Sequence, residues 1–203
     1  MNIGAGRVVW MDLPRIDHAI AEGSFATNEA LSAFAAKLKQ TGGTAHVVGL
    51  LSPGGVHSHQ RHMAEAARVL RGAGVPVALH GLLDGRDVGP KSAPDHLAAF
   101  LDDLPNAPFA TIAGRFWAMD RDKRWDRIEA AWRAIALGQG EQAESAARAI
   151  EAGYEREETD EFVTPAVIGG YEGMREGDGV LCINFRADRA REILAALGDP
   201  GFD

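Results

Sequence analysis

Phe109-Ala-Thr-Ile-Ala113, followed directly by Gly114-Arg-Phe-Trp-Ala-Met-Asp-Arg-Asp-Lys-Arg-Trp125, is the stretch whose reading decides the fold. The apolar run reads as a buried strand and Gly114 as its end. Arg115 then stands just past a strand's carboxyl end, where open α/β sheets bind ligands. Arg121 comes six residues later, with room for the chain to turn back before the helix predicted from Trp125 to about Ile135. Two guanidiniums can converge there on one anion, or the same charges can pair with the neighbouring carboxylates as an ion-pair network.

The strand-then-helix passage recurs on both sides. Thr44–Leu51 ends at Ser52-Pro-Gly-Gly55, and a helix opens at His57-Ser-His59 and runs to about Gly72. Val75–Leu83 breaks at Asp84-Gly-Arg-Asp87, before a helix from about Ser92 to Leu104. Gly179–Asn184 leads through Phe185-Arg-Ala-Asp-Arg-Ala-Arg-Glu192 into a helix ending near Leu197. Four such passages predict a three-layer α/β/α domain with a mostly parallel central sheet. Two further helices are expected. One is capped by Ser24 or Asn28 and runs to about Gln40, with Leu31, Phe34, Ala35 and Leu38 on one face; the other spans Ser145–Tyr154. The acidic run Glu155–Glu161 reads as a solvated face. Met1–Ile20 opens on turn glycines with no element before them, and reads as the interior of something longer.

Bulk properties narrow the function. A length of 203 residues fits one large domain or two small ones, and 46% hydrophobic with 25% charged residues is the composition of a soluble globular protein. A net charge of −8 and a pI near 5.4 argue against a dedicated nucleic-acid binder, so any cationic site must be local. Of the 21 basic residues only Lys37, Lys39, Lys91 and Lys123 are lysines. The arginine fork suits carboxylate and phosphate better than an ammonium does. The single cysteine, Cys182, excludes an internal disulfide and reads as a small core residue. No run approaches the ~20 apolar residues of a membrane span, and the amino terminus lacks signal-peptide order. A cytoplasmic protein is expected, with neither nucleic acid nor membrane as partner.

His57, Arg86 with Asp87, Arg115, and Arg186 with Arg189 all fall within a few residues of a predicted strand's carboxyl end, with Arg121 in the following loop. In a parallel sheet those ends share one edge, so these residues can meet there around a small polyanion. Asp87, a carboxylate among cations, suits proton transfer or a substrate hydroxyl. Each has a plainer reading. Asp84-Gly-Arg-Asp87 can be a turn, and Arg189 and Arg191 can belong to a helix surface, the preferred reading for Arg191. His57, His59 and His62 suggest a metal site, but no carboxylate or thiol partner accompanies them. Gly54-Gly55 lacks the Lys-Ser/Thr of a nucleotide-binding loop.

Asn2-Ile-Gly-Ala-Gly-Arg7, Gly54-Gly-Val-His-Ser-His59, Asp84-Gly-Arg-Asp87, Gly114-Arg115 with Ala118–Trp125, Asp160-Glu-Phe-Val163 and Asn184–Arg191 together resemble the cofactor-independent phosphoglycerate mutases, in that family's order and over nearly the whole chain. The resemblance implies an enzyme that interconverts 3-phosphoglycerate and 2-phosphoglycerate in glycolysis. Such an enzyme has a phosphatase-like domain, with two metal ions, usually manganese, and a transiently phosphorylated serine, and an inserted phosphotransferase domain that holds the glycerate. Residues 1–203 look like the inserted domain alone, inactive by itself. Its partners would be the substrate and the enzyme's own phosphatase domain, with no metal or other cofactor in this chain. The family's substrate-binding set carries over to His57, Arg86, Asp87, Arg115, Arg121, Arg186 and Arg189. Asp87 is implied as the proton shuttle and the arginines as the clamp on carboxylate and phosphate. Pro53, and Val88-Gly89 beside Asp87, depart from the family pattern and bear on loop geometry. Two other classes compete: a free-standing module for a small phosphorylated carboxylate, and a metal-dependent hydrolase built on His57, His59 and His62.

Overall fold

The computed structural model describes residues 10–202. In chain order the elements are α1 (Asp12–Ala21), α2 (Glu29–Thr41), β1 (Ala45–Leu51), α3 (Gln60–Gly72), β2 (Val77–Leu83), α4 (Ala93–Asp103) and β3 (Phe109–Gly114). There follow α5 (Arg115–Ala118), α6 (Trp125–Leu137), β4 (Glu141–Ala143), α7 (Ala146–Glu155), β5 (Ala166–Ile168), β6 (Gly179–Cys182) and α8 (Arg191–Gly198). Short 3-10 turns occupy Asp160–Phe162 and Ala187–Arg189. The sheet order is β4-β5-β3-β2-β1-β6, and all neighbours are parallel except the antiparallel pair β3–β5. This is the expected α/β/α architecture with a mostly parallel sheet.

Period-two alternation along the strands makes two cores. Val47 and Leu51 of β1, Leu79 and Leu83 of β2 and Ile112 of β3 pack under α2, α3, α4 and α7. Val48 and Leu50, Leu82 and Ala113 pack under α5, α6 and α8. The helices that follow β1 and β2 therefore cover one face, and those that follow β3 and β6 cover the other. Loops leaving the carboxyl edge diverge to opposite faces, and that divergence opens the crevice in which such folds bind ligands.

Several local expectations are corrected. Asn28, not Ser24, caps α2, its Oδ1 accepting from Leu31 N at 3.1 Å. Helix α1 occupies part of the stretch read as turn-rich, and Asn2–Arg7 lie outside the described residues. Strands β4 and β5, at three residues each, are too short to show a period. Cys182 is half-buried on the edge strand β6 rather than in the core. The acidic run is not merely solvated. Asp160 is 1% exposed, and its Oδ2 accepts from Ser92 N at 2.8 Å and Ala93 N at 2.9 Å, capping α4 from a distant loop.

At the amino edge of the sheet a buried polar chain crosses three strands. Asp178 Oδ2 lies 3.1 Å from His46 Nε2, His46 Nδ1 lies 2.9 Å from His80 Nε2, and His80 Nδ1 lies 2.9 Å from Thr111 Oγ1. Burial alone would raise the Asp178 carboxyl, but the Thr44 and Arg175 N–H groups and His46 hold it below its usual range. Every donor is matched when Thr111 donates to His80, His80 to His46 and His46 to Asp178, both rings being neutral. Tyr171 packs its ring against His46 and His80, and its O–H donates to Ile135 O at 2.6 Å. Burial pushes His80 well below its ordinary value of 6.5, with His46 adding to it; burial also lowers His46, against the pull of Asp178.

Groups whose folded pKa is depressed below the unfolded value make the unfolded chain the better proton binder in acid. Stability should therefore be full above about pH 7 and fall below about 6.5, by up to about 1.4 kcal/mol per pH unit for each histidine. Denaturant unfolding followed across that range should show this slope, and His80→Gln should reduce it; a slope unchanged by the substitution would refute the neutral assignment of His80.

Candidate functional site

The site starts from a charge that has no business in a core unless it is paired. Arg115, the first residue after β3, is 3% exposed. Its Nη1 donates to Asp84 Oδ1 at 2.6 Å and to Asp87 Oδ2 at 2.7 Å. Burial works against its charge, but Asp87 and Asp84 hold the guanidinium above its ordinary value.

Asp84 is the anchor that sequence reasoning missed. Its Oδ2 accepts from Ser52 Oγ at 2.7 Å, and its Oδ1 accepts from Asp87 N at 3.1 Å and Arg86 N at 3.3 Å. The two backbone contacts are those of an Asx turn in an Asp-Gly-x-Asp segment, the sequence signal that could have singled out Asp84. Burial alone would raise Asp84; the Asp87 N–H, Ser52 and Arg115 hold it below the usual carboxylate range. One buried carboxylate thus ties the end of β1, the turn after β2 and the end of β3 together.

Gly114 is required where it stands, because a Cβ there would overlap the backbone carbonyls of Asp160 and Glu161. That contact, with the 2.7 Å bond from Gly114 N to Val163 O, brings the 3-10 turn to the crevice. Glu161 on that turn lies 3.3 Å from Arg86 Nη1.

The remaining residues arrive from β1 and β6. His57 O accepts from Phe185 N at 2.9 Å, which sets Arg186 beside the His57 loop. Asn184 Oδ1 accepts from Leu50 N at 3.0 Å and locks the end of β6 to β1. His57 Nε2 is 3.7 Å from Asp87 Oδ2. Burial and then Arg115 hold His57 below its ordinary value, outweighing Asp87, so the ring is neutral near pH 7. Arg121 sits on a loop organised by buried Asp120, whose Oδ2 accepts from Asp122 N at 2.8 Å and Arg124 N at 2.9 Å. Arg121 Nη1 and Arg186 Nη2 both donate to Asp188 Oδ2, at 3.1 and 3.2 Å. Arg189 Nη1 donates to Met119 O at 2.9 Å.

Arg189 reports how closely the arginines gather. Burial, then Arg121, Arg115 and Arg86, hold its guanidinium below the ordinary value. Of the seven residues named from the sequence, His57 and Arg115 both reach Asp87, Arg121 and Arg186 share Asp188, Arg86 pairs with Glu161, and Arg189 stands within electrostatic reach of Arg121, Arg115 and Arg86. His59 and His62 do not join them. His59 Nδ1 caps α3 by accepting from Arg61 N at 3.2 Å, and His62 Nε2 lies 2.8 Å from Asp17 Oδ1. Among the described residues no three or more His, Cys, Asp or Glu side chains are placed to hold a metal ion. His57 faces Asp87, whereas His59 and His62 turn to Arg61 N and Asp17, so the three imidazoles do not share one set of partners.

A family described as "BPG-independent PGAM N-terminus" matches residues 16–203. A protein of Dinoroseobacter shibae named 2,3-bisphosphoglycerate-independent phosphoglycerate mutase is 59% identical over 203 residues, covering 100% of this chain and 40% of its own length. One of Cereibacter sphaeroides with the same name is 56% identical over the same shares. Among solved structures, a Leishmania mexicana phosphoglycerate mutase crystallised at low cobalt concentration superposes with a TM-score of 0.82 at 32% identity, covering 98% of this chain and 39% of that one. The chain thus spans about two fifths of the length of the relatives it matches.

Removing the charge of Asp84 leaves Arg115 buried with one partner. Asp84→Asn should destabilise the fold by roughly 3 kcal/mol. Gly114→Ala should cost about 1 to 3 kcal/mol by forcing the 3-10 turn outward. Urea unfolding reads both, and a midpoint unchanged by either substitution would remove that residue from the scaffold of the site.

Proposed function

Because the chain belongs to the family of BPG-independent phosphoglycerate mutases, whose N-terminal part it matches, we propose that its arginine crevice holds the glycerate end of phosphoglycerate during interconversion of the 3- and 2-phosphates. The supporting observation is geometric: Arg121 and Arg186 share one carboxylate, Asp188, while Arg115 and His57 both reach Asp87, and Arg189 feels the charges of Arg121, Arg115 and Arg86.

In this reading Arg86, Arg121, Arg186 and Arg189 take the carboxylate and phosphate by charge-assisted hydrogen bonds. Arg115, fixed between Asp84 and Asp87, presents what remains of its fork and holds Asp87 in place. Asp87 is the proton shuttle: it gives a proton to the glycerate oxygen that loses the phosphoryl group and takes one from the hydroxyl that receives it. Neutral His57 contacts the substrate beside it. Positioning and charge stabilisation are what phosphoryl transfer chiefly demands, and a cationic crevice supplies both. The phosphorylated serine and the two manganese ions implied by the resemblance belong, in this proposal, to a phosphatase domain outside this chain. Residues 10–202 are asked only to bind, orient and move a proton. A glycolytic role in the cytoplasm goes with this activity. No helix among the described residues is long and apolar enough to cross a membrane.

Calorimetric titration of this chain with 3-phosphoglycerate tests the reading. Saturable binding is expected, weakened at least about tenfold in Arg186→Ala by loss of a charge-assisted contact. A folded chain that binds no 3-phosphoglycerate, or an Arg186→Ala variant that binds it as well as the parent, would overturn the assignment.

A further inference from the structure

The crevice already contains an anion of its own. Asp188 lies on the 3-10 turn Ala187–Arg189, which carries Arg189 and directly follows Arg186, and its Oδ2 bridges Arg121 Nη1 at 3.1 Å and Arg186 Nη2 at 3.2 Å. Asp188 Oδ1 is 3.0 Å from Arg186 Nε, near enough to be attracted but without hydrogen-bond alignment. Neither guanidinium has another carboxylate within 4.0 Å among the described residues. Like charges gathered in one crevice repel, and some negative charge must sit between them before a ligand arrives.

Of the other carboxylates near the crevice, Glu161 pairs with Arg86 rather than with Arg121 or Arg186, and Asp84 and Asp87 are poorly suited to give way. Asp84 is buried and holds the turn through Ser52, Arg115 and two backbone N–H groups. Asp87 is bound to Arg115 and receives its backbone order from Asp84. Asp188 differs: its side chain is 34% exposed, so water is available to it once it turns away. Arg121 and Arg186 are about half exposed and equally free to exchange one anion for another.

We propose that Asp188 is a placeholder anion, which aligns Arg121 and Arg186 in the free protein and is displaced by the carboxylate or phosphate of the ligand. The proposal rests on the anion-binding reading of the crevice given above. It makes Asp188 a positioning and specificity residue: a simple anion must compete with it for two guanidiniums, whereas a ligand with two anionic groups keeps contacts to the other arginines while it does so. Weak, indiscriminate binding of abundant small anions is thereby suppressed.

The test compares the parent chain with Asp188→Asn, which keeps the shape and removes the charge. Both are titrated at constant ionic strength with sulfate, an anion that does not itself titrate near neutral pH, and separately with 3-phosphoglycerate. Sulfate should bind about tenfold more tightly to Asp188→Asn, as expected for loss of a competing exposed pair of contacts. The ratio of 3-phosphoglycerate to sulfate affinity should fall, and adding Arg186→Ala should cancel the gain. A residue needed only for folding would weaken binding when replaced, so a gain in affinity separates the two roles. Sulfate affinity unchanged or reduced in Asp188→Asn overturns the placeholder role while leaving the substrate reading intact if 3-phosphoglycerate still binds. Absence of binding of either anion to both proteins overturns the two together. Should Asp188→Asn fail to fold, Asp188→Ser carries the same comparison.

Discussion

A guanidinium buried at the end of β3 has to be neutralised where it lies, and the geometry of the carboxyl edge follows from that requirement. Moving an unpaired charge out of water costs far more than a domain of this size has in reserve. Arg115 is tolerated because Asp84 and Asp87 receive it, and Asp84 in turn is tolerated because Ser52 and two backbone N–H groups complete its shell. The loops after β1, β2 and β3 are thereby fixed relative to one another. A half-satisfied version of this network would be worse than an apolar edge. The network stands at the edge where ligands bind in such sheets, which supports the proposed site.

The two edges of the sheet use buried polarity differently. At the amino edge, Asp178, His46, His80 and Thr111 form a chain in which each group satisfies the next, and the Tyr171 ring packs beside it. At the carboxyl edge the charges are only partly matched, with Arg121 and Arg186 half exposed and Arg189 bound to the Met119 carbonyl. The first arrangement holds strands together. The second leaves positive potential to be filled, by Asp188 in the free chain and by a ligand otherwise.

The elements most legible from sequence were those with a long period. The seven-residue runs of β1 and β2 and the thirteen-residue helices α2, α3 and α6 lie close to where apolar spacing put them. Where the chain is short or acidic, the local pattern failed. Three-residue β4 and β5 carry no period, and β5 pairs antiparallel with β3 through contacts distant in sequence. The acidic run looked like a surface because Asp160 caps a helix more than sixty residues earlier, a pairing of |i−j|=67 with Ala93 that no local window contains.

The sequence by itself determined the strand-to-helix rhythm, and with it the parallel edge on which His57, Arg86, Asp87, Arg115, Arg121, Arg186 and Arg189 had to fall. It did so because side-chain periodicity and the handedness of crossover connections are local properties of the chain. Which carboxylate answers which arginine was decided only by the tertiary structure. Asp84, Asp188, Asp120 and Asp160 owe their roles to burial and to partners brought together by sheet order, and the energy of a charge depends on that surrounding rather than on its neighbours in sequence.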